Sequence, residues 1–233
     1  MKYCFDLDET ICFTPPDRTY SKAIPYLKVV AYINELYYDG HEISIFTARG
    51  SSSKIDYTEL NKTQLNGWGV KYHKLIDKGK PSYDLLVDDK AINSKTWREQ
   101  VGIRIVGFVA SSFDLLHAGH CLYLKDAKST CDHLIAALQV DPSLDRPNKN
   151  KPTQSVEERK IQLENTRHVD EVVLYGTEEE LEIILAKIKP DVRILGSDAI
   201  GKPITGENHC KQIYYHERNH NWSSSELKER CKK

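Results

Sequence analysis

Two short stretches carry the residues that could do chemistry: "FDLLHAGHCLYL" at 113–124 and "CFDLDET" at 4–10. In the first, His117 and His120 stand at i and i+3 in what reads as the first turn of a helix, so both lie on one side, near backbone N–H groups that favour anions. Gly119 between them removes the side chain that would block close approach. Imidazoles so placed can donate hydrogen bonds to phosphate oxygens as charge builds on an α-phosphate under attack. A metal pair would need a third ligand, and no further cysteine or histidine sits at a standard spacing. In the second stretch Asp6 ends a first strand, with Asp8 two residues on and Thr10 two beyond that. This arrangement suits attack on a phosphoryl group, with Asp6 as nucleophile and Asp8 as proton donor to the leaving oxygen. Carboxylates facing a phosphate need a cation. Asp88 or Asp89, closing "DLLVDD", would complete with Asp6 and Asp8 an oxygen-ligand site for Mg2+. Thr47 in "IFTARG" could hold the phosphoryl oxygens and Lys80 in "GKPSYD" neutralise them.

Positioning these groups takes strands that end where the chemistry begins. Apolar runs alternate with helix-like stretches throughout, the pattern of α/β folds with mainly parallel sheets. The first series is "KYCF", "ISIF" and "DLLV", separated by "IPYLKVVAYINELYYDG", with Gly40 as the helix stop, and by a polar helical segment after Ser53. The second is "IRIVGFVA", "HLIAALQV", "DEVVLY", "DVRIL" and "QIYYH". Its helices are opened by capping boxes, Ser155 with Glu158 and Thr177 with Glu180. The 233 residues are therefore expected to form two Rossmann-like three-layer α/β domains, 1–100 and 101–233, meeting at the polar stretch "NSKTWREQVG". "DPSLDRPNKNKPTQS" is the one long polar loop, and loops of that length in compact domains are often functional.

Thirty-three Lys and Arg against 34 Asp and Glu leave no net basic field to draw the chain to nucleic acid or anionic lipid. Small-molecule phosphoesters and nucleotides are the expected partners. The opening "MKYCFDLDET" is too acidic for a signal peptide, and no apolar run nears the roughly 20 residues of a membrane span. A cytoplasmic protein with reduced thiols is expected, since the six cysteines form no CxxC.

The order "FDLDET", "FTAR", "GKP", "LLVDDKA" resembles the haloacid dehalogenase phosphatase superfamily, and within it the small capless capsule-biosynthesis phosphatases. That resemblance covers about residues 1–98 and implies an Mg2+-dependent phosphomonoesterase with Asp6 as nucleophile, Asp8 as acid/base, Thr47 and Lys80 as phosphate ligands, and Asp6 with Asp88 or Asp89 on the metal. "SFDLLHAGH", "SVEERKIQLENTRHVDEVVL", "ILGSDAIGK" and "ERNHNWSSSELKE" resemble the glycerol-3-phosphate cytidylyltransferases over about residues 103–231.

The second resemblance implies transfer of CMP from CTP to a phosphorylated small alcohol, with pyrophosphate released and Mg2+ on the triphosphate. His117 and His120 would stabilise the pentavalent phosphorus, Lys151 with Lys149 would hold the triphosphate, and Arg218 would bind phosphate. Ser223, Ser224 and Ser225 would meet the β- and γ-phosphates at a helix N-terminus. Ser112, Phe113, Asp114, Gly119 and Asp198 complete the nucleotide-binding set, and a homodimer is implied. The chain departs from the pattern at Ser112, which must supply a hydroxyl in place of the usual Gly-Thr, at Asn221 and Trp222, and at Ala199.

A bifunctional enzyme follows, with a place in surface-polymer precursor synthesis. Two alternatives stand beside it. The heptose-phosphate adenylyltransferases also carry "FDxLHAGH" and an "RP" loop like "DRPNKNKP", which would make the nucleotide ATP. The N-terminal domain could instead be a catalytically dead docking module.

Overall fold

The computed structural model describes residues 1–80 and 90–232, so Asp88, Asp89 and the "DLLV" run lie outside the described residues. The chain divides into two compact units, Met1–Ile103 and Arg104–Lys233.

In the N-terminal unit, β1 (Lys2–Asp6), β4 (Glu42–Phe46) and β5 (Lys74–Ile76) pair in parallel in that order. Two short strands, β2 (Cys12–Phe13) and β3 (Ile24–Pro25), form an antiparallel bridge. Helix α1 (Leu27–Tyr38) buries Val29, Val30, Ile33 and Leu36, one stripe at helical spacing, and Gly40 at φ 81° lets the chain turn back into β4. Helix α2 (Thr58–Gly67) is the polar segment expected after Ser53.

The stretch expected to join the two domains is a helix of this unit. Helix α3 (Ser94–Gln100) is capped by the Asn93 side chain, which accepts from the Lys95 N–H, and docks through Trp97, whose ring lies against Phe5 and Tyr32. Sequence polarity concealed this because the residue α3 buries is an arginine, Arg98, which lies over the Tyr26 ring.

The C-terminal unit is a five-stranded parallel sheet in the order β10-β9-β6-β7-β8. Its strands are β6 (Val106–Ser111), β7 (His133–Gln139), β8 (Glu171–Tyr175), β9 (Val192–Gly196) and β10 (Gln212–His216). This is the mixed α/β, Rossmann-like architecture expected. Nearly every residue of β7 is buried, as a strand covered on both faces requires. The order runs outward from β6 in both directions, so the β6/β9 junction is the switch point, where open α/β sheets bind ligands at the strands' carboxyl ends.

Helix α4 (Ala118–Ser129) follows β6 directly, and Gly107 lets it close down: a Cβ there would stand 2.5 Å from Cys131 Sγ. The short α5 (Pro142–Asp145) opens the long polar loop. Helix α6 (Val156–Glu164) has the full Ser155–Glu158 capping box. At α7 (Glu178–Ile188) Thr177 caps the Glu180 N–H as expected, but the Glu180 carboxylate accepts from Gly176 one residue earlier. Helix α8 (Ser224–Cys231) ends the unit. Phe108, Ile135, Ala137, Tyr175, Leu181 and Leu185 form a core between sheet and helices. Among the described residues no helix is long and apolar enough to cross a membrane.

Candidate active site

His117 is the N-cap of α4, and its Nδ1 accepts from the Gly119 N–H at 3.1 Å. That bond assigns the neutral ring's proton to Nε2, the nitrogen left to donate to a ligand. His120 stacks on it with ring centroids 3.9 Å apart and packs edge-on against buried Phe113. Burial first, then the neighbouring His117 and Arg218, pushes the His120 pKa down to about 3. Burial, Arg218 and His220 lower His117 as well. Near neutral pH the two rings are therefore neutral donors rather than fixed cations.

The backbone beneath them is strained. Phe113 (φ 45°) and Leu115 (φ 50°) adopt the left-handed region that side chains of that size avoid, and the residue between them is Asp114. Asp114, expected among the nucleotide ligands, is engaged by the protein itself. Its Oδ1 accepts from the Thr153 and Gln154 N–H groups at 2.9 and 3.0 Å. Its Oδ2 pairs with Lys228 at 2.9 Å, and its carbonyl accepts from Ser224 Oγ at 2.7 Å. Burial pushes its pKa up, but the Lys228 bond and the two N–H groups outweigh that and hold it below the usual carboxylate range. Asp114 thus ties the histidine turn to the 141–155 loop and to α8.

Other expected ligands fall around this tie. Lys149 and Lys151 are exposed on the polar loop. Arg218 is exposed and donates to the Trp222 carbonyl at 2.6 Å, closing the loop before α8. Ser223 caps α8 by accepting from the Glu226 N–H, Ser224 is held by Asp114, and Ser225 follows in the first turn. The Ser112 carbonyl accepts from Arg159, and Ser111 Oγ accepts from the Phe113 N–H. Asp198 is exposed in the turn after β9. Gly119 is needed as expected: a Cβ there would stand 2.7 Å from His220 Cε1, 2.9 Å from the Trp222 oxygen and 3.0 Å from His117 Cε1.

In the N-terminal unit, Asp6 ends β1 with its Oδ1 accepting from the Leu7 N–H at 2.8 Å and paired with Lys80 Nζ at 2.9 Å. Lys80 is 7% exposed and lies over the Phe46 ring. Thr47, fully buried just past β4, accepts from the Arg49 N–H at 3.2 Å and keeps its hydroxyl proton to donate. Beside them a cleft of about 510 Å³ is lined by Arg49, Lys54, Tyr57, Asp77, Lys78 and Lys80, among others.

Asp8, expected as proton donor and metal ligand, is held by protein groups. Arg49 approaches it through Nη2 at 2.7 Å and Nε at 3.0 Å, and Thr14 Oγ1 donates at 2.5 Å. Of the expected metal set, Asp6 and Asp8 lie among the described residues, and Asp88 and Asp89 lie outside them. Among the described residues no group of three or more His, Cys, Asp or Glu could hold a metal ion.

Residues 108–230, more than half of the chain, match the model of the family described as cytidylyltransferase-like. The chain belongs to the cytidylyltransferase-like family. A curated relative, Bifunctional protein HldE of Wolinella succinogenes, is 40% identical over 121 residues, 52% of this chain and 25% of that protein. Its namesake from Campylobacter concisus is 36% identical over 171 residues, 73% of this chain and 34% of its own length. The matched parts thus span a quarter to a third of these relatives. A lipopolysaccharide core biosynthesis protein from Thermoplasma volcanium is 23% identical, with 55% of this chain and 87% of that one covered at a TM-score of 0.37.

The cytidylyltransferase-like unit also contains residues that sequence reading passed over. Arg159, 2% exposed, is satisfied by backbone carbonyls. Its guanidinium donates to Ser112 and Gln139 at 2.8 Å, Val140 at 2.6 Å, and Gln154 and Ser155 at 3.2 Å. It pins the end of β6, the end of β7 and the start of α6 around the histidine turn. In "SVEERK" it reads as one more surface charge. Arg49 in the other unit was hidden the same way, although "FTAR" was in view. His220 carried no spacing signal at all.

Proposed function

We propose that the C-terminal unit transfers a nucleotidyl group from ATP to the phosphate of a small phosphorylated sugar of the heptose-phosphate class, releasing pyrophosphate. The observation that carries transfer is the stacked, neutral His117–His120 pair at the mouth of the sheet's switch point. An acceptor phosphate oxygen attacks the α-phosphorus, charge builds on its equatorial oxygens, and imidazole N–H groups meet that charge without a proton changing hands. Mg2+ on the triphosphate would supply further charge neutralisation. ATP is favoured over CTP by the likeness of "FDLLHAGH" and "DRPNKNKP" to the heptose-phosphate adenylyltransferases and by the matches to the proteins named HldE. CTP with a polyol phosphate is the second reading, favoured by "SVEERKIQLENTRHVDEVVL" and the family model.

The N-terminal unit is assigned phosphomonoester hydrolysis within the same proposal. Asp6, oriented by its ion pair with Lys80, would attack phosphorus, and Thr47 would donate to a phosphoryl oxygen. Asp8 would protonate the leaving oxygen from the site Arg49 fixes. Cytoplasmic location and homodimerisation belong to the same proposal.

Thermal shift with ATP against CTP tests the nucleotide, since a ligand that binds only the folded state raises the midpoint. ATP should raise it and form pyrophosphate with a heptose phosphate; a response to CTP alone would reverse the choice. Hydrolysis of an aryl phosphate with Mg2+, absent in Asp6→Asn, tests the other unit.

A further inference from the structure

Among the described residues, several of the buried polar side-chain atoms that meet no partner lie in the transfer site, with others scattered through both units. Among them are His120 Nδ1, both ring nitrogens of His220, and Glu226 Oε2. Buried donors and acceptors are nearly always satisfied, because water is lost and nothing replaces it, so a local excess marks a place that a ligand completes. His220 is the extreme case. Its ring is stacked on Trp222 with centroids 5.0 Å apart, and its Cε1 and that of His117 both lie within 3.0 Å of the same point above Gly119. Among the described residues the ring is therefore held in place by packing, not by a hydrogen bond of its own.

We propose that His220 is a third phosphate-contacting imidazole, and that it takes an oxygen of the departing pyrophosphate. This rests on the nucleotidyl-transfer reading. The His117–His120 pair sits where the α-phosphate would be attacked. The N-terminus of α8, capped by Ser223 three residues past His220, carries the helix's partial positive charge and suits the most negative end of the chain. His220 stands between the two, beside the bond that breaks. As the acceptor oxygen bonds to the α-phosphorus, the bond from that phosphorus to the bridging oxygen breaks and its electron pair leaves with pyrophosphate. His220 donates a hydrogen bond to that growing charge and transfers no proton. Among the described residues the His220 ring meets no hydrogen-bond partner, so its donor is open to a phosphate oxygen.

The test titrates inorganic pyrophosphate and ATP into full-length wild type, His220→Phe and His220→Gln by calorimetry, with circular dichroism melts of each free protein. Phenylalanine should weaken pyrophosphate binding by about 10-fold or more, the worth of a hydrogen bond to a charged group. The free His220→Phe protein should melt at or above the wild-type midpoint, because the unmet nitrogens are gone. Glutamine, which keeps a donor, should recover most of the affinity. His220→Phe binding pyrophosphate as wild type does would overturn the proposal. So would a lowered midpoint with no recovery by glutamine, which would make His220 a packing residue. Wild type binding neither pyrophosphate nor nucleotide would overturn the transfer reading itself, and this inference with it.

Discussion

Asp6 and Asp8 in the N-terminal unit are each held by a cation of the protein, Lys80 and Arg49, whereas His120 and His220 in the C-terminal unit keep ring nitrogens that meet nothing. Both regions are read as phosphate sites, yet they handle charge in opposite ways. A carboxylate that must attack has to be ionised and aimed, and a neighbouring cation does both. Donors meant for a polyanion must not already be bound to a protein acid, because that acid would have to be displaced first. The first site brings its own anion and the second waits for one.

The contrast breaks most sharply by removing one site at a time. His120→Ala and His117→Ala should each lower kcat for pyrophosphate release by about 10²–10³, the usual loss for one donor at a developing oxyanion. Hydrolysis of an aryl phosphate by the same proteins should be unchanged. Asp6→Asn should show the mirror result, hydrolysis lost and transfer kept. A variant that lowers both activities would mean that the two sites do not act independently.

Next in size is Arg159→Met, which leaves several buried carbonyls without donors around the histidine turn. A loss of about 3 kcal/mol is expected by urea unfolding, since buried unsatisfied groups are among the costliest changes.

The neutral state of His120 is a smaller test. Its folded pKa of about 3 lies below the ordinary imidazole value, so the unfolded chain takes up the proton first as pH falls. The stability this contributes is complete above about pH 6.5 and is lost as pH drops towards 3. His120→Phe should flatten that part of the urea-midpoint profile; an unchanged slope would remove His120 as its source. The smallest expected effect is Ser155→Ala, about 1 kcal/mol from the lost capping box at α6, by the same unfolding assay.

What could be read in advance follows from what is local. The five strands of the C-terminal sheet announced themselves because apolar runs mark buried strands, and the Ser155 box because a cap is a four-residue event. His117, Gly119 and His120 were legible for the same reason, being one turn of helix. Arg49, Arg159 and His220 were not, because their roles depend on burial and on partners up to 47 residues away, or on having none among the described residues. An arginine among glutamates looks solvated until the fold closes over it. Asp114 was noticed as a nucleotide-site residue, but only the fold reveals the Thr153 and Gln154 N–H groups and Lys228 that hold it.

The Ser224–Asp114 bond joins residues 110 positions apart, and so it bears on the order in which the chain matures. Strand β6 can pair with β7 early, but its other neighbour, β9, starts only at Val192. Such distant pairing is slow, and during synthesis it waits for the ribosome. The histidine turn is therefore made long before the loop and helix that complete it. A nascent or truncated chain could hold most of the sheet and still lack a finished pocket. Binding of the nucleotide would then report, more strictly than sheet content does, that folding of this unit is complete.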